Sequence, residues 1–154
     1  MRETFTVEEG LDLSEVESLR DEMQEWVDNM GGTALENTSR YQMASDAVDT
    51  LDNVDSIDFK EIWNEVKLGE DLDEDTLKGL RYECTLFKVK SRRQSPSRAY
   101  RLSNVLSVAN GAIECLRSYL EPYGERADGV RSVLDDIESS LQDFDSVEFP
   151  TMYG

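Results

Sequence analysis

Residues 81 to 101, RYECTLFKVKSRRQSPSRAYR, hold the side chains whose types and spacing could do chemistry. Arg81, Lys88, Lys90, Arg92, Arg93, Arg98 and Arg101 stand there against one acid, Glu83. A guanidinium is a planar fork of donors that grips a phosphate or a carboxylate through two bonds at once. Lys88, Lys90, Arg92, Arg93, Arg98 and Arg101 are therefore candidates for contact with a phosphate-bearing ligand such as a nucleotide. Ser97 precedes a helical pattern whose first amides could assist such a ligand. The same side chains could instead pair with acidic helices of this chain or of a second copy, which would give a homo-oligomer, or form a solvated loop. Pairing is the favoured reading.

The acids to pair with are abundant. The chain of 154 residues carries 34 acids against 16 basic side chains, a net charge of −18. Glu17, Asp21, Glu25 and Asp28 fall three or four residues apart, so they share one face of a helix. Asp46, Asp49, Asp135, Asp136 and Asp143 extend the set, and these nine are the candidate partner-binding surface. Duplex DNA carries one charge per about 1.7 Å of axis, so 18 charges correspond to roughly 30 Å of duplex. A compact chain of this length has a radius of gyration near 15 Å, hence a comparable length. Such a surface could occupy a groove built for DNA on another protein. It repels bare nucleic acid and anionic lipid, so neither direct nucleic-acid binding nor a membrane partner is expected. The same charge also serves plain solubility, and the basic stretch interrupts any uniform imitation of DNA.

Other chemistry is thinly represented. Histidine is absent, which removes the usual Ser-His-Asp and Cys-His nucleophile systems and histidine-bearing zinc sites. Neither GxxxxGK[ST] nor GxGxxG occurs. Carboxylate pairs arise by chance in so acidic a chain and single out no catalytic centre. The expectation is a protein without enzymatic activity, cofactor or metal. Asp71, Asp73 and Asp75 begin like a calcium loop, but Thr76 replaces the glycine of position six and Tyr82 the acid of position twelve. They read better as helix caps. Cys84 and Cys115 are expected to be reduced and buried.

Short elements must position these groups. Residues 3 to 7 alternate as a strand does, and Glu8 to Leu13 reads as a loop. Ser14 with Glu17 matches a capping box opening a helix that carries Val16, Leu19, Met23, Trp26, Val27 and Met30 and stops at Gly31-Gly32. A second helix starts near Thr38, a short third carries Phe59, Ile62, Trp63 and Val66, and a brief turn follows Asp73. Tyr82 to Lys90 changes to period two and predicts a strand, paired with residues 3 to 7 or with a stretch near Ile57-Phe59. Helices four and five follow, punctuated by Pro122 and Gly124, with apolar stripes Leu102 to Leu120 and Val130 to Phe144. Both tryptophans sit on apolar stripes and are expected in the core. The fold class is mainly α: a bundle of four to five helices in one acidic domain, with a small β element near residues 82–90.

The segment VESLRDEMQEWVDNMGGTALENTSRY (Val16 to Tyr41) resembles small acidic proteins of tailed bacteriophages. SRAYRLSNVLSVANGAIECL is similar to a later part of the same group. The resemblance covers under a third of the chain and transfers no catalytic or binding residue. It implies a protein that binds host proteins, defence nucleases among them, or an accessory part of the virion. Without an apolar leader in MRETFTVEEG or a membrane span, the expected location is the cytoplasm of a bacterial host cell. The leading expectation is a DNA-mimic-like inhibitor of a host nucleic-acid-binding or defence protein. The alternatives are a self-assembling structural protein and a nucleotide binder using the arginine cluster.

Overall fold

The computed structural model describes residues 2–30, 38–68, 72–86 and 97–149. Its architecture is mainly α, with a two-stranded antiparallel ribbon laid on a long helix. Strand β1 is Arg2–Thr6 and strand β2 is Arg81–Thr85, with Phe5 opposite Tyr82 and Glu3 opposite Cys84. Alternation puts Glu3, Phe5, Tyr82 and Cys84 on one half-buried face and leaves Thr4 and Glu83 exposed. Of the two pairings expected for β2, the one with the N-terminal stretch is found. The ladder ends at Thr85, one residue before Leu86, and residues 87–90 of the expected strand and the Gly31-Gly32 helix stop lie outside the described residues.

The expected loop at Glu8 to Leu13 is corrected in its first half. Helix α1 spans Val7–Gly10 and is opened by a capping box. The Glu9 amide donates to Thr6 Oγ1 at 3.2 Å, and the Thr6 amide donates to Glu9 Oε1 at 3.0 Å. Helix α2 spans Ser14–Met30. Its start also differs from expectation: the amides of Val16 and Glu17 donate to the Leu13 carbonyl, and the Ser14 amide donates to the Asp12 carboxylate. Ser14 is thus the first helical residue, not the cap.

Helix α3, Ser39–Leu51, is capped by Thr38, whose hydroxyl accepts from the Tyr41 amide. Helix α4 is Lys60–Leu68 and α5 is Glu74–Lys78, with Asp73 at the cap position of α5 accepting from the Thr76 hydroxyl. Helix α6, Arg98–Leu120, is capped by Ser97; at about 1.5 Å per residue it runs about 35 Å. Helix α7 spans Asp128–Gln142. Between α6 and α7, Gly124 takes a positive φ of 56°, a conformation that side-chain-bearing residues avoid. Arg131 holds that turn by donating to the carbonyls of Gly124 at 2.6 Å and Leu120 at 2.7 Å.

The core draws on every helix except α3's middle, which joins a smaller cluster. Leu19, Leu51, Ile62, Leu77, Ile113, Leu116, Leu134 and Phe144 sit fully buried in the larger one. Met23, Ala44, Ala47 and Val48 form the smaller one between α2 and α3. Trp63 is buried as expected. Trp26 is only half-buried, because it lies at the edge of the smaller cluster with the Arg98 guanidinium 5.8 Å from its ring centre. Both cysteines are free but half-buried, not fully buried, since they lie at the ribbon's contact with α6. Burial without a charged partner pushes both thiols above their ordinary pKa, the inert direction.

Candidate acidic interface

Among the described residues, the charges are sorted by side. Where helices meet, acids and arginines are stapled together. Arg101 Nη2 donates to Glu22 Oε2 at 2.7 Å and Nη1 to Glu22 Oε1 at 3.0 Å, and its Nε donates to Glu15 Oε1 at 2.5 Å. Arg98 Nε donates to the same Glu22 at 3.0 Å. These bonds tie the start of α6 to α2. Arg117 does the same between α6 and α7, reaching Glu114, Asp135 and Glu138. Arg20 of α2 reaches Asp55 at 2.9 Å and Asp52 at 3.6 Å in the turn after α3.

Arg98 and Arg101 therefore take the intramolecular course among those open to the basic stretch. Their forks are filled by carboxylates of α2. Lys88, Lys90, Arg92 and Arg93 lie outside the described residues.

The outward faces differ. Glu17, Asp21, Glu25, Asp28, Asp46, Asp49, Asp135, Asp136 and Asp143 are all exposed. On α2 the stripe Glu17, Asp21, Glu25 and Asp28 lies opposite the buried Val16, Leu19 and Met23. On α3, Asp46 and Asp49 lie opposite Ala44, Ala47, Val48 and Leu51. Asp21 meets Arg20, Asp135 meets Arg117, Asp28 accepts from Gln24 and Asp46 from Gln42. Glu17, Glu25, Asp49, Asp136 and Asp143 make no side-chain hydrogen bond or ion pair among the described residues.

Helices α2 and α3 pack along their apolar stripes, and α3 also meets the turn that holds Asp143. A cavity of about 350 Å³ joins Asp46 of α3 to Ser146 and Glu148 after that turn. The structure thus brings α2, α3 and residues 143–148 into one neighbourhood. Asp135 is drawn away from it, toward α6.

Among the described residues, no group of three or more acids or cysteines is placed to hold a metal ion. Nor is any helix there long and apolar enough to cross a membrane. No protein-family model, curated protein or solved structure matches the chain.

The α2–α6 staple has a pH signature. The Arg101 guanidinium, hydrogen-bonded to Glu22, holds that carboxyl below its ordinary pKa against a smaller opposing effect of burial, and Arg98 adds to the lowering. In the unfolded chain Glu22 titrates near the ordinary value of about 4.3. Its contribution to stability is therefore complete above that pH and lost as pH falls through the lowered folded value. Both partners are about a third exposed, so solvent screens the pair. Glu22→Gln is expected to cost about 1–2 kcal/mol at neutral pH and clearly less at pH 3. Urea unfolding of both proteins at the two pH values checks this. An equal gap at both would mean that Glu22 acts through packing.

Proposed function

We propose that this is a non-enzymatic binding protein whose acidic outer surface engages and blocks a nucleic-acid-binding protein of a bacterial host. The surface would occupy the groove in which that protein holds phosphates. The observation that carries the reading is the sidedness of the charge. Four arginines, Arg20, Arg98, Arg101 and Arg117, are spent on acids where elements meet, while among the described residues the outer acids of α2, α3 and the 143–148 turn keep most of their charge unmatched. Unmatched surface charge costs stability through self-repulsion. It is retained at less disadvantage if a basic partner covers it.

The test is competition. Immobilised protein is loaded with bacterial lysate at low salt and then challenged with duplex DNA at constant ionic strength. Release of a DNA- or RNA-binding protein by the duplex is the expected result. Retention should also fall by at least about tenfold between 0.05 and 0.2 M salt, as groups competing for phosphate sites do. A captured protein that ignores both DNA and salt would refute the reading.

A further inference from the structure

A second cavity, of about 340 Å³, opens where the ribbon overhangs the first half of α6. Its existence follows from the register. Tyr82 is fixed near Gly111 and Val108, so the inner face of the ribbon beyond it runs past the α6 residues that precede Val108. The floor is apolar: Phe5 and Leu86 from the ribbon side, Val105 and Val108 from α6. All four are half-buried, so they share an incompletely filled groove. Glu3, Glu9, Asp12 and Glu15 form the rim with Asn104 and Arg101, whose guanidinium is already bound by Glu15 and Glu22, so the rim keeps an excess of negative charge.

Two of the rim charges, Glu9 and Asp12, are held differently from those at the helix contacts. Glu15 is met by Arg101. Glu9 is gripped by the amide and hydroxyl of Thr6, at 3.0 and 2.9 Å. Asp12 accepts from the Ser14 amide at 3.0 Å. These donors are neutral, so they orient the two carboxylates without cancelling their charge. An apolar floor with fixed anions around it repels phosphates and anionic lipids. It is complementary to an apolar side chain flanked by lysines or arginines, whose alkyl stems also favour apolar contact. The volume lies at the small end of binding pockets, about 300–1,000 Å³, and suits one anchoring side chain.

We infer that this groove anchors a basic, amphipathic peptide segment of the partner protein. The inference rests on the reading of this protein as a binder of basic proteins and deepens it, by assigning a point of apolar contact that imitation of DNA alone does not provide.

The probes are two labelled decapeptides of equal charge, one alternating leucine and lysine, the other serine and lysine. Binding is followed by fluorescence anisotropy at 0.15 M salt. The leucine peptide is expected to bind at least about tenfold tighter, and Leu86→Ser to erase that difference. Glu9→Gln with Asp12→Asn should weaken both peptides about fivefold. That pair preserves the hydrogen bonds to Thr6 and Ser14, because a glutamine also completes a capping box, so folding is retained if Leu86→Ser proves unstable. Equal affinity for the two peptides, or indifference to the Glu9 and Asp12 changes, would overturn the inference. If lysate capture depends on the outer acids while the peptides ignore the groove variants, the groove inference alone fails. If the peptides respond and capture survives loss of the outer acids, the groove stands and the acidic-face reading falls.

Discussion

Gly111→Ala is expected to lower stability by about 2 kcal/mol, and Gly10→Ala by more, whereas Gly129→Ala should be neutral or slightly stabilising. A Cβ at Gly111 would lie 2.6 Å from Tyr82 Cε2 and 3.0 Å from Cδ2. At Gly10 it would lie 1.9 Å from the Tyr82 hydroxyl oxygen and 2.9 Å from the Ala112 Cβ. The tyrosine thus fills the space that two glycines on two helices leave open. It cannot swing aside freely, because its hydroxyl donates to the Val108 carbonyl at 2.6 Å. Overpacking of this kind costs about 1–3 kcal/mol. Displacing the ring also breaks a half-buried hydrogen bond, about 1–3 kcal/mol more. The better helix propensity of alanine at Gly111 returns about 1 kcal/mol. At Gly129 the new Cβ meets only the Glu65 carboxylate end, at 2.4 Å, and a flexible side chain can turn away. Urea unfolding of the three variants measures the contrast. A Gly111→Ala protein as stable as the unaltered one would show that Tyr82 does not lock the ribbon. The same lock sets the overhang that makes the groove above α6, so Gly111→Ala should also weaken the leucine–lysine peptide.

Local signals were legible where a single helix decides the outcome. The stripes of α2, α6 and α7, the start of α3 near Thr38 and the cap at Ser97 are periodic or positional patterns within a few residues. The capping boxes show where such signals fail. Thr6-x-x-Glu9 and Ser14-x-x-Glu17 match equally well, yet only the first is used. The choice is tertiary: the Val7 amide donates to the Leu80 carbonyl, which ends the ribbon at Thr6 and leaves it free to cap α1. The Leu13 carbonyl takes the role expected of Ser14. Trp26 was misplaced for a related reason, since an apolar stripe says which side of a helix turns inward but not where the packing partner ends.

The candidate surface was partly legible. Exposure of the nine acids follows from their position opposite apolar stripes. Which of them stay unmatched does not, because Asp135 is claimed by an arginine 18 residues away and Arg101 reaches back 79 residues to Glu22. The groove had no local signal at all. Its floor joins Phe5, Leu86, Val105 and Val108, which no single period connects.

Reversing Glu17, Glu25, Asp49 and Asp143 to lysine is expected to abolish partner binding while leaving the fold intact. These four lie on α2, α3 and the adjoining turn, and none is spent on an internal ion pair among the described residues. Reversal therefore removes no staple. On α2 it also relieves like-charge repulsion, since Glu17 and Glu25 each stand four residues from Asp21. The variant should thus melt at or above the temperature of the unaltered protein, so that a loss of binding cannot be put down to unfolding. An exposed ion pair contributes about 0.2–1 kcal/mol, and reversal turns each attraction into a repulsion of similar size. Four sites together amount to about 2–8 kcal/mol, or roughly 30-fold to a million-fold in affinity. Neutralising the same four to glutamine or asparagine should give about half that free energy. The graded series separates charge from shape. If binding depended on one specific hydrogen bond, neutral and reversed variants would lose affinity alike. If it depended on the field of the surface, the reversed protein would lose about the square of the neutral protein's factor, and both losses would shrink as salt is raised. Binding unchanged by all four reversals would place the partner elsewhere and remove the acidic face from consideration.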